Sequence, residues 1–204
     1  MYFIDGMNFL AHLYLSGNSD ELMIGNFMAD FVKGKPSAQL PENIAKGIAL
    51  HRLIDAFTDT HPVVKQSIRR LQPAYHKYAG VIVDIFYDHF LARNWSVFSQ
   101  ESLPAFAAKT YSLINQHKAV LPVTMHEMFC FMQQQNWLVS YAQKEGVARV
   151  LQGMARRTTF LSNMELAIND LERDYADYGE EFLIFFPIVI EYVQQWCSVN
   201  IKSS

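Results

Sequence analysis

The stretch Pro41–Thr60, PENIAKGIALHRLIDAFTDT, decides the fold class. Its apolar residues Ile44, Ile48, Leu50, Leu53, Ile54 and Phe57 recur every three or four positions, the period of a helix face and not of a strand. Pro41 stands where the start of a helix tolerates proline. Ala79–Trp95 repeats the pattern with Val81, Ile82, Ile85, Phe86, Phe90 and Leu91. Val81-Ile82-Val83 alone would suit a strand, but it runs straight into helical spacing. The same period predicts helices over Leu103–His117, Met125–Lys144, Val147–Phe160, Ser162–Tyr178 and Phe182–Val199. Turn residues separate these segments at Ser16–Asp20, Lys33–Ser37, His61-Pro62, Ser99–Ser102 and Leu121-Pro122. Neither strand–helix alternation nor an Asn-Gly hairpin is present. The expectation is an all-α, single-domain multi-helix bundle over residues 1–204.

Half of the 204 residues are hydrophobic, enough for a substantial core and unlike a disordered chain. Lys plus Arg is 17 and Asp plus Glu is 20, for a net charge of −3, which disfavours a general nucleic-acid binder. Cys130 and Cys197 form no CxxC pair and are expected to be buried free thiols. The N-terminus has no basic segment followed by a long apolar run, and the run Phe9–Leu15 is broken by His12 and is far shorter than a membrane span. A cytoplasmic protein without membrane or nucleic-acid partners is expected.

Polar residues interrupt the apolar helices at one-turn spacing. Asn8 and His12 are four apart, as are Asn26 and Asp30; His51, Asp55 and Asp59 make two such steps; Asp84 and Asp88 make another, with His89 beside them. Residues four apart share a helix face. Buried carboxylates are tolerated only when cations compensate them. Arg52 offers one such cation, and a divalent metal held by imidazole and carboxylate offers a stronger one. Each pair alone also fits a structural role, such as a core histidine with its hydrogen bond satisfied or a carboxylate ending a helix. Four segments affected alike point to one shared polar site. His61, His76, His117 and His126 read as surface or structural residues, and the aromatic series from Trp137 and Tyr141 through Phe160 to Trp196 reads as core packing. Basic residues cluster at Lys33/Lys35, at Lys65/Arg69/Arg70 and at Arg156/Arg157.

From Met7 onward these motifs resemble the acyl carrier protein phosphodiesterases. The resemblance is carried by Met7–Leu13, Gly25–Gly34, Gly47-Ile48 leading into His51–Asp55, Thr58-Asp59, Asp84 with Asp88–Trp95, and Gly153–Arg157. Met1–Gly6 lies outside it. The resemblance implies hydrolysis of the phosphodiester between 4′-phosphopantetheine and a serine of holo acyl carrier protein. It also implies dependence on manganese, and an HD-domain-like fold akin to the HD-type phosphohydrolases. The adjacent His-Asp dyad of that group is absent: His51-Arg52 stands here, and Asp88-His89 runs in reverse order.

On this reading His12, Asp30, His51, Asp88 and His89 hold the metal. Asp55 or Asp59 is the general base or orients an imidazole, and Arg52 pairs with phosphate or a ligand carboxylate. Lys33, Arg156 and Arg157 meet the acidic carrier protein. The rivals are a related metal phosphohydrolase acting on a nucleotide or small phosphodiester, and a non-catalytic helical metal-binding protein. No Gly-rich phosphate loop or GxSxG elbow favours other chemistries.

Overall fold

A computed structural model describes residues 9–201; Met1–Gly6 and Asn8, with the Asn8–His12 pair, lie outside the described residues. The chain opens with α1 (Phe9–Leu15) and α2 (Asp20–Met28), the latter capped by the Ser19 side chain accepting from the Leu22 N–H. A single 3-10 turn, Ala29–Phe31, extends α2. Then come α3 (Glu42–Thr60), α4 (Pro62–Tyr75), α5 (Ala79–Arg93), the one-turn α6 (Trp95–Phe98) and α7 (Leu103–Gln116). The chain continues through α8 (Val123–Gln134), α9 (Trp137–Ser140), α10 (Lys144–Ala155), α11 (Ala167–Arg173) and the long α12 (Tyr175–Asn200). The described residues contain no strand, so the all-α expectation holds.

Every predicted turn lies between helices, but two predicted helices are divided. Met125–Lys144 breaks at Asn136, whose φ of 47° and ψ of 56° leave the helical region, and again before α10, where Gln143 is extended. Asn adopts this left-handed conformation more readily than most residues. Ser162–Tyr178 breaks twice: Asn163 has a φ of 53°, and Asp174 departs from helical geometry just before α12 begins. In both cases the apolar period continues across the break, which is why spacing alone reads them as continuous.

One core joins all the helices. At its centre α5 is buried on nearly every side, from Ile82 to Ala92 with Asp84 excepted. Phe182, Phe185, Phe186, Val189 and Val193 of α12 pack inward, while Leu183, Ile184 and Ile188 face outward. By length and composition α12 is also apolar enough to cross a membrane, yet its inner face is part of this core. Arg70 of α4, read from sequence as part of a basic cluster, instead forms a two-pronged pair with buried Glu181 of α12, at 2.7 and 3.0 Å. Ser67 also donates to Glu181. Cys130 is exposed and Cys197 half-buried, so the expected burial of both thiols does not hold; Cys130 falls on the outer face of α8. Phe160 likewise leaves the aromatic core and is 62 % exposed.

Helices α2 and α3 meet backbone to backbone. A Cβ on Gly25 would lie 2.0 Å from the Ile44 carbonyl oxygen and 2.8 Å from Gly47 Cα, and one on Gly47 would lie 2.3 Å from the Leu22 carbonyl oxygen. Backbone meets backbone there, and only glycine permits it. Gly25→Ala is expected to destabilise the fold by about 1–3 kcal/mol or more, read as a lower urea midpoint, whereas Gly153→Ala, whose Cβ meets nothing within 4 Å, leaves the midpoint nearly unchanged.

Candidate metal centre

The glycine contact positions the polar residues that neighbour it in the chain. Asn26 comes one residue after Gly25, and His51 one turn after Gly47, so the two side chains meet in the buried seam between α2 and α3. Asn26 Oδ1 lies 2.9 Å from His51 Nδ1 and 2.9 Å from His12 Nδ1 of α1. The two imidazoles stack, with centroids 4.0 Å apart and planes 23° apart. Both Nε2 atoms then turn toward the same carboxylate: His12 Nε2 is 3.2 Å from Asp55 Oδ1, and His51 Nε2 is 3.2 Å from Asp55 Oδ2. Asp30, on the turn that extends α2, adds an oxygen 3.0 Å from His51 Nε2.

His12, His51 and Asp55 each offer one ligand atom, all within 4.8 Å of one another. His12 Nε2 is buried and pairs with Asp55 at 3.2 Å without the geometry of a hydrogen bond.

The charges agree. Burial pushes the His12 pKa down, but the hydrogen-bonding reach and charge of Asp55, with the charge of Asp30, outweigh it and hold the ring above its usual range. Burial works against the charged form of Asp55 as well, yet His12 and His51 hold its pKa below the ordinary carboxylate value. Asp84 of α5 responds most strongly. Burial and the charges of Asp55, Asp59, Asp88 and Asp30 drive its pKa well up. Asp59, exposed one turn beyond Asp55, is raised by partial burial and by Asp55. The charge of Asp55 thus reaches both Asp84 and Asp59, which places the three carboxylates in one electrostatic neighbourhood.

The residues singled out from sequence separate into those drawn together and those placed elsewhere. His12, His51, Asp30 and Asp55 converge, with Asp59 beside them. Asp88 does not join the histidines: its two oxygens accept from the backbone N–H groups of Leu10 and Ala11, 2.9 and 2.8 Å away, and so cap α1. Burial, opposed by those two bonds, pushes its pKa up to about 7. His89 faces the other way, its Nδ1 2.7 Å from the Tyr141 carbonyl and its Nε2 2.8 Å from the Tyr175 hydroxyl. Arg52 donates to the carbonyls of Val32 and Gly34 and so secures the loop that carries Lys33. Arg156 and Arg157 lie apart from the histidines, with Arg149, in a cavity of about 330 Å³ that Trp137 and Phe131 also line. Two residues were visible in the sequence spacing but missing from the predicted ligand set. Asp84 shares a face with Asp88, and spacing could not say which of the two feels the charges of Asp55, Asp59 and Asp30. Asn26 carries no charge, so its spacing alone marks it as neither ligand nor base.

The model of the family described as acyl carrier protein phosphodiesterase matches residues 7–189. A Photorhabdus laumondii protein named acyl carrier protein phosphodiesterase is 41 % identical over 186 residues, covering 91 % of this chain and 94 % of the relative. Proteins of the same name from Yersinia enterocolitica and Salmonella dublin are 35 % identical over 189 residues and 32 % over 182. These matches cover 92 % of this chain and 98 % of the Yersinia protein, and 89 % and 94 % for the Salmonella protein. No solved structure matches the chain. With a family model spanning most of its length and relatives this similar over nearly their whole length, the chain belongs to the acyl carrier protein phosphodiesterase family.

Proposed function

We propose that this chain hydrolyses holo acyl carrier protein to apo carrier protein and 4′-phosphopantetheine, at a divalent-metal centre that takes manganese. The observation that carries the reading is the convergence of His12, His51 and Asp55, whose ligand atoms lie within 4.8 Å of one another, in a chain whose relatives are named acyl carrier protein phosphodiesterase. His12, His51 and Asp55 would hold the ion, with Asp30 and Asp84 completing its surroundings. Bound there, it would lower the pKa of a water and neutralise charge on the phosphoryl oxygens. An all-α core with His and Asp on adjoining helices supports kinship with the HD-type phosphohydrolases. An exposed thiol with no disulfide partner, Cys130, supports action in the cytoplasm.

In the reaction a water oxygen bonds to phosphorus and the bond from phosphorus to the serine oxygen breaks. One proton leaves the water and one reaches the serine oxygen. Asp59 is the side chain suited to take the first: it is exposed beside the site, and its raised pKa makes it a stronger base than an ordinary aspartate. Asp84, whose surroundings favour the protonated form, is suited to deliver the second. Asp30, whose oxygen lies 3.0 Å from His51 Nε2, is placed to share the ion with that ring. Asp88 acts on the site by fixing α1, and thereby His12. His89 acts through the contacts of α5 with Tyr141 and Tyr175.

Lys33 and the arginine cleft receive the acidic carrier. Arg149, Arg156 and Arg157 line a cavity without any carboxylate among its lining residues, beside the half-exposed Trp137. That cleft is a local positive region on a chain of net charge −3, and such regions speed encounter with an acidic partner.

Incubation with holo carrier protein and Mn²⁺ is expected to remove the phosphopantetheine mass from the carrier, as read by mass spectrometry, and a chelator is expected to stop the loss. A carrier that keeps its mass while a generic phosphodiester is turned over would replace this substrate with a small one. Asp59→Asn is expected to lower kcat by about 10²–10⁴-fold without changing the helical circular dichroism; a variant at full rate removes Asp59 from the role of base. Arg149→Glu combined with Arg156→Glu is expected to raise KM for the carrier and flatten its rise with salt, while kcat changes far less.

A further inference from the structure

We propose that Asn26 fixes the tautomer of both site histidines, holding a hydrogen on each Nδ1 so that both Nε2 lone pairs face the same point. Asn26 is fully buried, and its hydrogen bonds settle which way the amide points. Its Nδ2 lies 2.9 Å from the His12 carbonyl oxygen and 3.0 Å from Ser16 Oγ. A carbonyl oxygen only accepts, so a nitrogen must face it. The Ser16 hydroxyl spends its own hydrogen on the same carbonyl, at 2.9 Å, and therefore accepts from Asn26. Both amide hydrogens are thus used on that side.

The other end of the amide is then Oδ1, 2.9 Å from His12 Nδ1 and 2.9 Å from His51 Nδ1. An amide oxygen has two lone pairs and no hydrogen, so each ring must donate from Nδ1. A neutral imidazole has only one N–H, which leaves Nε2 bare on both rings. Without Asn26 the balance would reverse. Asp30 and Asp55 lie within 3.2 Å of the Nε2 atoms and would draw the hydrogen there, blocking the lone pairs. One uncharged side chain therefore prepares two ligands on different helices, and Ser16 and the α1 backbone hold that side chain in register. Asn26 is a positioning residue. The tautomers follow from the Asn26 contacts, while their consequence for the ion rests on the metal centre proposed for this chain.

The test uses the full chain, ¹⁵N-labelled at histidine and free of metal, at alkaline pH where the rings are neutral. Long-range proton–nitrogen correlation spectra report which ring nitrogen carries the hydrogen. His12 and His51 are both expected to carry it on Nδ1, and a hydrogen on Nε2 of either ring would overturn the proposal. Mn²⁺ binding, read from the electron paramagnetic resonance of the free ion, supplies a second measurement. Asn26→Leu, which keeps the volume and removes the acceptor, is expected to bind Mn²⁺ about 10–100-fold more weakly. Asn26→Asp, which keeps an acceptor toward both rings, is expected to bind more tightly than Asn26→Leu. Binding by Asn26→Leu as tight as that of the unaltered chain would count against the proposal. If Asn26→Leu does not fold, the spectrum of the unaltered chain still decides. An unaltered chain that binds no Mn²⁺ would defeat the metal reading, and the spectrum would judge the tautomers separately.

Discussion

Two helices whose backbones touch are the constraint on which the site depends. At Gly25 and Gly47 no side chain separates α2 from α3, and the neighbouring carbonyls lie where a Cβ would be. Such an approach leaves little freedom to slide or rotate, because any displacement would drive backbone atoms into one another. Asn26 and His51 inherit that rigidity. The side chains of a functional site must be placed to within a fraction of an ångström, and close packing of two helices achieves this better than a loop would. The third element, α1, is short and would not hold its place by helical propensity alone. Asp88 accepts its leading N–H groups from the centre of the core and so sets where His12 sits.

The carboxylates show how differently one residue type behaves in one small region. Asp55 is held charged by two imidazoles, Asp84 is pushed toward its neutral form by burial and by other carboxylates, and Asp88 is balanced between burial and two N–H donors. Elsewhere in the same core, Glu181 is compensated within the protein by the Arg70 guanidinium and the Ser67 hydroxyl. The contrast is informative: where the chain needs only stability it buries a carboxylate with its own cation, and around His12 and His51 it gathers carboxylates and ties Arg52 to loop carbonyls instead. Carboxylates gathered about imidazoles alone, with no guanidinium or ammonium among them, are costly for folding and suited to binding an ion.

Much of this was legible in the sequence. Apolar spacing over Pro41–Thr60 and Ala79–Trp95 gave helices, and the turn residues marked where they stop. The breaks at Asn136 and Asn163 were not legible, because the apolar period runs on through them and a left-handed residue depends on packing at both sides. The four-residue steps of Asn, His and Asp gave a shared polar site, and the family resemblance gave its chemistry, since a motif set in order records a common site even when no single residue is diagnostic.

The sequence by itself determined the helical class, the family, and the faces on which polar residues lie, because periodicity along one helix is a local property of the chain. Only the tertiary structure decided which of those faces meet. It sent His12, His51, Asp30 and Asp55 to one point, assigned Asp88 to capping α1 and His89 to Tyr141 and Tyr175, and gave Asn26 its hold on two rings. Residues one turn apart on a helix point the same way, but their partners are fixed by how helices cross, and that crossing is set by the contact of Gly25 with Gly47, which lie 22 positions apart in the chain.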